Sequence, residues 1–278
     1  MLRSMKSRRR SCLGIVAFEL FTSPMSCSSH GASKQQSSET IASLTTGCDK
    51  RNYGSCFSLG ARFESGDGVA KDNARAVALF QRACDGGNAQ GCSGLGFAYE
   101  TGNGVSQDSS RAFALYRRAC DGGDGMGCAF LGAMYESGKR IAKDKAAAAK
   151  LYQQACDKGN AMGCDELGRM YFYGNGVAKD EGHAIALYQR ACDGGDAWCA
   201  NLGAAYGIGS GVPKDEARAA TLFQRACDAN NAEACATLGA VYESGEGVTK
   251  NKSRALTLYQ KACRIGLKKA CDDASRLQ

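Results

Sequence analysis

The chain has 278 residues, 44% of them hydrophobic, with 35 basic against 28 acidic side chains and a formal charge of +7. Six basic residues (Arg3, Lys6, Arg8, Arg9, Arg10, Lys34) precede residue 39 against the lone acid Glu19, so no basic stripe remains further on to hold a nucleic-acid backbone. With two histidines, sixteen cysteines and no C-x-x-C spacing, the residue set does not supply the four ligands of a structural zinc site.

The start, MLRSMKSRRR followed by SCLGIVAFELF and a serine-rich run, has the layout of a secretory signal. Its apolar stretch is too short to span a bilayer and is interrupted by Glu19. Residues 1–38 therefore read as a signal sequence and serine-rich linker. Cys27, after Pro24, Met25 and Ser26, faintly resembles a lipid-anchored cysteine, and Arg9 and Arg10 faintly resemble a twin-arginine signal. An arginine-rich start can also be a mitochondrial transit peptide.

From about residue 39 the chain repeats. Cysteines recur at Cys48, Cys84, Cys120, Cys156, Cys192, Cys227 and Cys263, a step of thirty-six that slips once to thirty-five. Each has a companion eight residues on (Cys56, Cys92, Cys128, Cys164, Cys235, Cys271), except that Cys199 follows Cys192 by seven. A fixed period of this size signals a stacked array rather than two globular domains. We therefore expect one elongated unit over 39–278, about six full repeats with a half-unit at each end, and no transmembrane segment.

Each period divides into two helices. The first carries a leucine and an aromatic four apart, as in Leu95 and Tyr99, Leu131 and Tyr135, or Leu167 and Tyr171, which places both on one face. A glycine follows the leucine in six copies (Gly60, Gly96, Gly132, Gly168, Gly203, Gly239). Glycine inside a helix costs about 1 kcal/mol against alanine, so its recurrence implies that another backbone passes too close for a side chain. Loops such as GDGVAKD from Gly66 and GNGVSQD from Gly102 then end the helix. The leading glycine suits a left-handed C-terminus and the closing Asp or Asn a helix N-cap. These loops lack the phosphate-binding lysine pattern and occur in every copy; one, from Gly138, has Arg140 in place of its second glycine. The second helix sets Ala112, Leu115, Tyr116 and Ala119 in an apolar stripe.

The earlier cysteine of each pair ends a second helix and the later one opens the next first helix. Along one continuous helix they would stand about 12 Å apart, too far to bond, so the chain must reverse between them. Regular pairs read as a ladder of disulfides made in an oxidising compartment, with buried free thiols as the alternative.

The pattern A-x-x-G-C-x-x-L-G-x-x-Y-x-x-G-x-G-V-x-K-D-x-x-R-A-x-x-L-Y-x-x-A-C-D-x-G resembles the Sel-one-like repeat, a helix-turn-helix relative of the tetratricopeptide repeat. With its paired cysteines the chain is similar to the cysteine-rich secreted proteins of Helicobacter. The resemblance covers about residues 47–278. It implies an all-α fold, an α/α right-handed superhelical solenoid with one disulfide per repeat, that binds proteins or peptides and needs no cofactor. Some relatives carry a penicillin-binding or β-lactamase label, but S-x-x-K, S-D-N and K-T-G are all missing here. The chain also resembles a cysteine-rich repeat assembly factor of the mitochondrial intermembrane space.

The resulting expectation is a secreted, periplasmic or envelope-anchored monomer that binds a protein or peptide on its concave face, with no catalytic, cofactor or metal residues. Residues that break the repeat mark the partner surface: Phe97 and Arg169 where other copies have Ala, Met134 and Met170 one place on, Phe172 and Tyr173 in place of Glu and Ser or Thr, and Trp198 beside the shortened cysteine pair. The same residues could instead fill gaps between repeats. The recurring Glu64, Glu100, Glu136 and Glu243 read as a solvated row or as ion-paired partners of neighbouring basic residues.

Overall fold

The computed structural model describes residues 39–138 and 141–278. The leader reading, Cys12, Cys27 and the Arg140 substitution lie outside them. The described residues are all helical, with no strands. A half-unit, α1 (Ile41–Asp49), precedes six helix pairs: α2 (Tyr53–Ser65) with α3 (Asn73–Asp85), α4 (Ala89–Thr101) with α5 (Ser109–Asp121), and α6 (Gly125–Ser137) with α7 (Lys145–Asp157). Then come α8 (Ala161–Tyr173) with α9 (Glu181–Gly194), α10 (Cys199–Ile208) with α11 (Glu216–Asp228), and α12 (Ala232–Ser244) with α13 (Lys252–Ile265), closed by α14 (Lys268–Leu277). No described helix is long and apolar enough to cross a membrane.

The helix ends are where the sequence puts them. Asp72, Asp108, Asp144, Asp180, Asp215 and Asn251 each accept from a backbone N–H in the first turn of a second helix. Gly66, Gly102, Gly138, Gly174, Gly209 and Gly245 close the first helices at φ between 67° and 86°, which only glycine adopts without strain.

The glycine inside each first helix makes room for a ring rather than for a backbone alone. A Cβ on Gly96 would meet the Tyr116 ring at 2.8 Å, one on Gly132 the Tyr152 ring at 2.9 Å, and one on Gly168 the Tyr188 ring at 2.8 Å. The alanine carbonyl of the second helix lies just behind, Ala184 O being 3.2 Å from the Gly168 position. The aromatic of the second helix thus lies flat across its first helix, and the pair closes around it.

Seven disulfides join the cysteines within each recurring pair: Cys48–Cys56, Cys84–Cys92, Cys120–Cys128, Cys156–Cys164, Cys192–Cys199, Cys227–Cys235 and Cys263–Cys271. Their Cα atoms are 4.3 to 4.8 Å apart, which requires the chain reversal inferred from spacing. Only the second residue of that turn needs a left-handed backbone, as at Gly87 (φ 90°) and Gly123 (φ 93°); Arg51 (φ 64°) and Asn230 (φ 65°) fill the slot elsewhere.

Further contacts couple one repeat to the next. Arg82, Arg118, Arg190 and Lys261 donate to the carbonyls of Cys48, Cys84, Cys156 and Cys227, the exposed C-terminal ends of the preceding second helices. Arg75, Arg111, Arg218 and Arg254 lie over the aromatic rings of their own first helices, and His183 takes the same place edge-on to Tyr171 at 4.4 Å. The first helices also touch directly across repeats, α2 on α4, α4 on α6 and α6 on α8, whereas the second helices meet the next repeat mainly through its first helix. Over these first four repeats the stack therefore closes on the first-helix side, which lies on the inside of its curve there.

In the fifth repeat the missing residue removes the side-chain cap. A short 3-10 turn, Asp196–Trp198, leads straight into α10, and Asp196 pairs with Arg225 at 2.6 Å. Trp198 packs on the core around Leu167 and Leu187, filling the space that the shortened turn leaves.

Candidate binding surface

On each first helix the places two, five and nine residues after the cysteine are half-buried or exposed, and in α12 all three, Thr237, Ala240 and Ser244, are exposed. Three side chains to the helix turn put these places on one stripe, opposite the buried leucine. In most copies the stripe is small or polar. Phe97 and Phe130 interrupt it, half-buried and stacked with ring centroids 6.0 Å apart. Tyr173 and Ile208 interrupt it again at the ends of α8 and α10, 65% and 58% exposed, the two large hydrophobic side chains so exposed among the described residues.

The structure divides the expected partner residues. Phe97 and Tyr173 lie on the stripe. Arg169 lies there too, but as the centre of an ion-pair network. Phe172 is half-buried between Tyr173 and Tyr188, with centroids at 5.1 and 6.3 Å, and Trp198 is half-buried on the core. Met134 and Met170 are 7% and 0% exposed and do not belong to the surface. They occupy the place three residues after the leucine, on the same inward face, and pack between repeats as gap-fillers. Ile208 was missed, although it stands where Tyr173 stands one repeat earlier.

In the glutamate row Glu136 is buried and Glu64, Glu100 and Glu243 are half-buried, and the ion pairs read as one alternative form at Glu136 and Glu243. Glu100, Glu136 and Glu243 accept from Tyr116, Tyr152 and Tyr259 at 2.6, 3.0 and 3.1 Å. Arg169 and Arg276, at equivalent places one repeat on, reach back to Glu136 and Glu243, each at 2.6 Å. In the first pair the tyrosine is Phe80: burial raises the Glu64 carboxyl above its ordinary range, and Glu64, Phe80 and Asn73, whose Oδ1 has no partner, line one small cavity. Phe80→Tyr should restore the bond and stabilise the protein by about 1 kcal/mol, read as a higher urea midpoint at unchanged slope. An unchanged or lower midpoint would show that the pair contributes nothing.

A second polar group lies between repeats four and five. Asn201 of α10 donates to both oxygens of Asp165 on α8 at 2.9 Å, and Asp165 is 6% exposed. Burial pushes its carboxyl up to about 7, against the amide bonds that favour the charged form. The folded protein therefore keeps a proton that the unfolded chain releases from the ordinary value of 3.8 upward, so stability falls as pH rises from there to about 7 and is level beyond. Asp165→Asn should remove this slope, gaining stability at about pH 8 relative to about pH 5, as measured by urea unfolding of both proteins. Parallel pH profiles for the two would contradict it. Neither Asp165 nor Asn201 was singled out from sequence, though an acid in a place held by Ala129, Ala200 and Ala236 was a visible signal.

This architecture defines an α-helical solenoid of helix-turn-helix repeats. The sequence profile of the Sel1 repeat matches residues 54–88, 89–124, 125–160, 161–196, 199–231 and 232–267. The chain belongs to the Sel1 repeat family, whose members commonly act as scaffolds for protein–protein interaction. It is similar to a Sel1 repeat protein of Oxalobacter formigenes, with 26% identity over 81% of this chain and 99% of that one and a TM-score of 0.70. It is also similar to a protective antigen of uropathogenic Escherichia coli with the same repeat fold, at 28% identity, 86% coverage of this chain and a TM-score of 0.65, and spans 51% of that protein's length. The cysteine rich protein B of Helicobacter pylori is 35% identical over 47% of this chain and 93% of its own, with a TM-score of 0.38. No curated protein is similar enough to match.

Proposed function

We propose that this chain is an exported Sel1 scaffold, monomeric and without a cofactor, that binds a protein or peptide along the stripe of its first helices. The observation that carries the reading is the exposure of Tyr173 and Ile208 at equivalent places on successive first helices, 65% and 58%, where other copies have serine or threonine. Large apolar side chains left exposed in neighbouring repeats mark an interaction surface. Phe97 and Phe130 extend the stripe toward the first repeats, and Phe172 and Trp198 support it from behind. A disulfide in each repeat favours export to an oxidising space such as the periplasm or the exterior, and the cysteine-rich likeness agrees.

A photo-crosslinking amino acid placed at Tyr173 or Thr101 on the stripe, and at the exposed Arg117 on a second helix, tests this in the native compartment. The expected result is a discrete cross-linked partner from the stripe and none from Arg117. Cross-linking from Arg117 alone would overturn the assignment.

A further inference from the structure

Six of the seven bridges are closed off by the second helix that follows them. Cys48–Cys56 shares a core cluster with Ala83, Cys84–Cys92 with Ala119 and Cys120–Cys128 with Ala155, and the pattern runs on to Cys227–Cys235 with Ala262. In each case the alanine stands just before the next cysteine and is 0% exposed. The twelve cysteines of these bridges are at most 6% exposed. A thiolate breaks a disulfide by attacking one of its sulfurs, so a sulfur covered in this way is out of reach in the folded chain.

Cys263–Cys271 lacks this cover. It joins α13 to α14, the last described helix, and both of its cysteines are half-buried. α14 differs in a further way. The helices that carry Cys56, Cys92, Cys128, Cys164 and Cys235 each begin with a capping Asn or Asp, whereas Leu267 gives α14 no side-chain cap. Cys271 lies in the first turn of α14, and side chains on a helix lean toward its N-terminus. A thiolate at Cys271 is therefore stabilised by backbone N–H groups that no capping side chain has taken.

We propose that Cys263–Cys271 is a thiol-exchange site, opened by a low-molecular-weight thiol in the folded protein while the other six bridges stay closed. The attacking thiolate bonds to Sγ of Cys263 and the Sγ–Sγ bond breaks. Cys271 leaves with the electron pair as a thiolate, which takes a proton from water. The product is a mixed disulfide on Cys263. A second thiol then releases Cys263 and is oxidised together with the first to a disulfide, so the bridge gains two electrons and two protons. α14 stays docked throughout, because Ala274 and Leu277 pack with Ala255 and Tyr259, and Arg276 pairs with Glu243 at 2.6 Å, contacts in which no sulfur takes part. The site is independent of the first-helix stripe, and its success or failure leaves that reading untouched.

The test uses the full oxidised chain without denaturant, its free thiols first blocked with iodoacetamide. Glutathione is added, samples are quenched with N-ethylmaleimide at intervals, and peptide mass spectrometry assigns the adducts to each cysteine. Cys263 and Cys271 should react at least about tenfold faster than any other bridged cysteine, with glutathione appearing on Cys263 and maleimide on Cys271. Far-ultraviolet circular dichroism should stay unchanged over that phase. The double variant Cys263→Ser with Cys271→Ser should lose the fast phase and keep the slow ones, whereas Cys48→Ser with Cys56→Ser should keep it. If a variant does not fold, the rates at each cysteine of the unaltered chain still decide. Earlier opening of another bridge, all seven opening together, no opening before denaturant is added, or glutathione mainly on Cys271 would overturn the proposal.

Discussion

Reduction of the disulfides is expected to lower the midpoint of thermal unfolding by more than about 20 °C. Each bridge closes a short loop, for which the chain-entropy model gives about 2.5 kcal/mol. Seven such bridges rival the whole 5 to 15 kcal/mol, roughly, by which a folded domain exceeds its unfolded chain, even when their effects overlap. Their placement adds to the effect. Every bridge ties the end of one repeat to the start of the next, and in an array stability is the sum of repeat terms and nearest-neighbour terms. Loss of the bridges loosens every one of those junctions at once. Circular dichroism melts of oxidised protein and of protein reduced under denaturant and refolded in reductant make the comparison. Superimposable melts would mean that helix packing alone holds the stack.

Gly104→Ala should destabilise the protein by at least about 3 kcal/mol, and Gly87→Ala by only about 1 kcal/mol. Both glycines have left-handed backbones, φ 77° and 90°, so both substitutions carry the same conformational strain. They differ in what lies beyond. A Cβ on Gly104 would stand 2.4 Å from the backbone carbonyl of Asn73 at the start of α3, whereas one on Gly87 meets nothing within 4 Å. The second glycine of the loop is therefore the point where one repeat leans on the backbone of the one before, and Gly247 against Glu216 repeats the contact at 2.4 Å. Urea unfolding of the two variants separates strain from contact. Equal losses would show that the loop does not couple the repeats.

Much of this architecture is written in the period itself. A cysteine every thirty-six residues, an Asp before each second helix and a Gly after each first helix are local signals, and each found its place in the fold. The glycine inside the first helix was read correctly as a close approach, but its neighbour is the ring of Phe80 or Tyr116, which local spacing does not reveal. Met134 and Met170 depart from the repeat as Phe97 does, yet they fall one place further round the helix and turn inward. Departure from a repeat marks a difference; only the helical phase decides whether that difference faces solvent.

The polar cluster was harder to read because its parts are far apart in sequence. Asp165 meets Asn201 thirty-six residues on, and Arg169 meets Glu136 thirty-three residues back. That Tyr188 meets Phe172 where its counterparts bond a glutamate appears only when the glutamate row and the tyrosine row are set side by side, because Phe172 taken alone looks like one more aromatic. Pairing across the repeat would have found it.

The account depends most on the cysteines being joined within successive hairpins. Peptide mapping of the oxidised protein, alkylated before digestion and without reductant, tests this directly. It should recover seven linked peptides, from Cys48 with Cys56 through Cys263 with Cys271, and no alkylated cysteine among these fourteen. Free thiols at these places, or links between distant repeats, would contradict both the stapled stack and its assignment to an oxidising compartment.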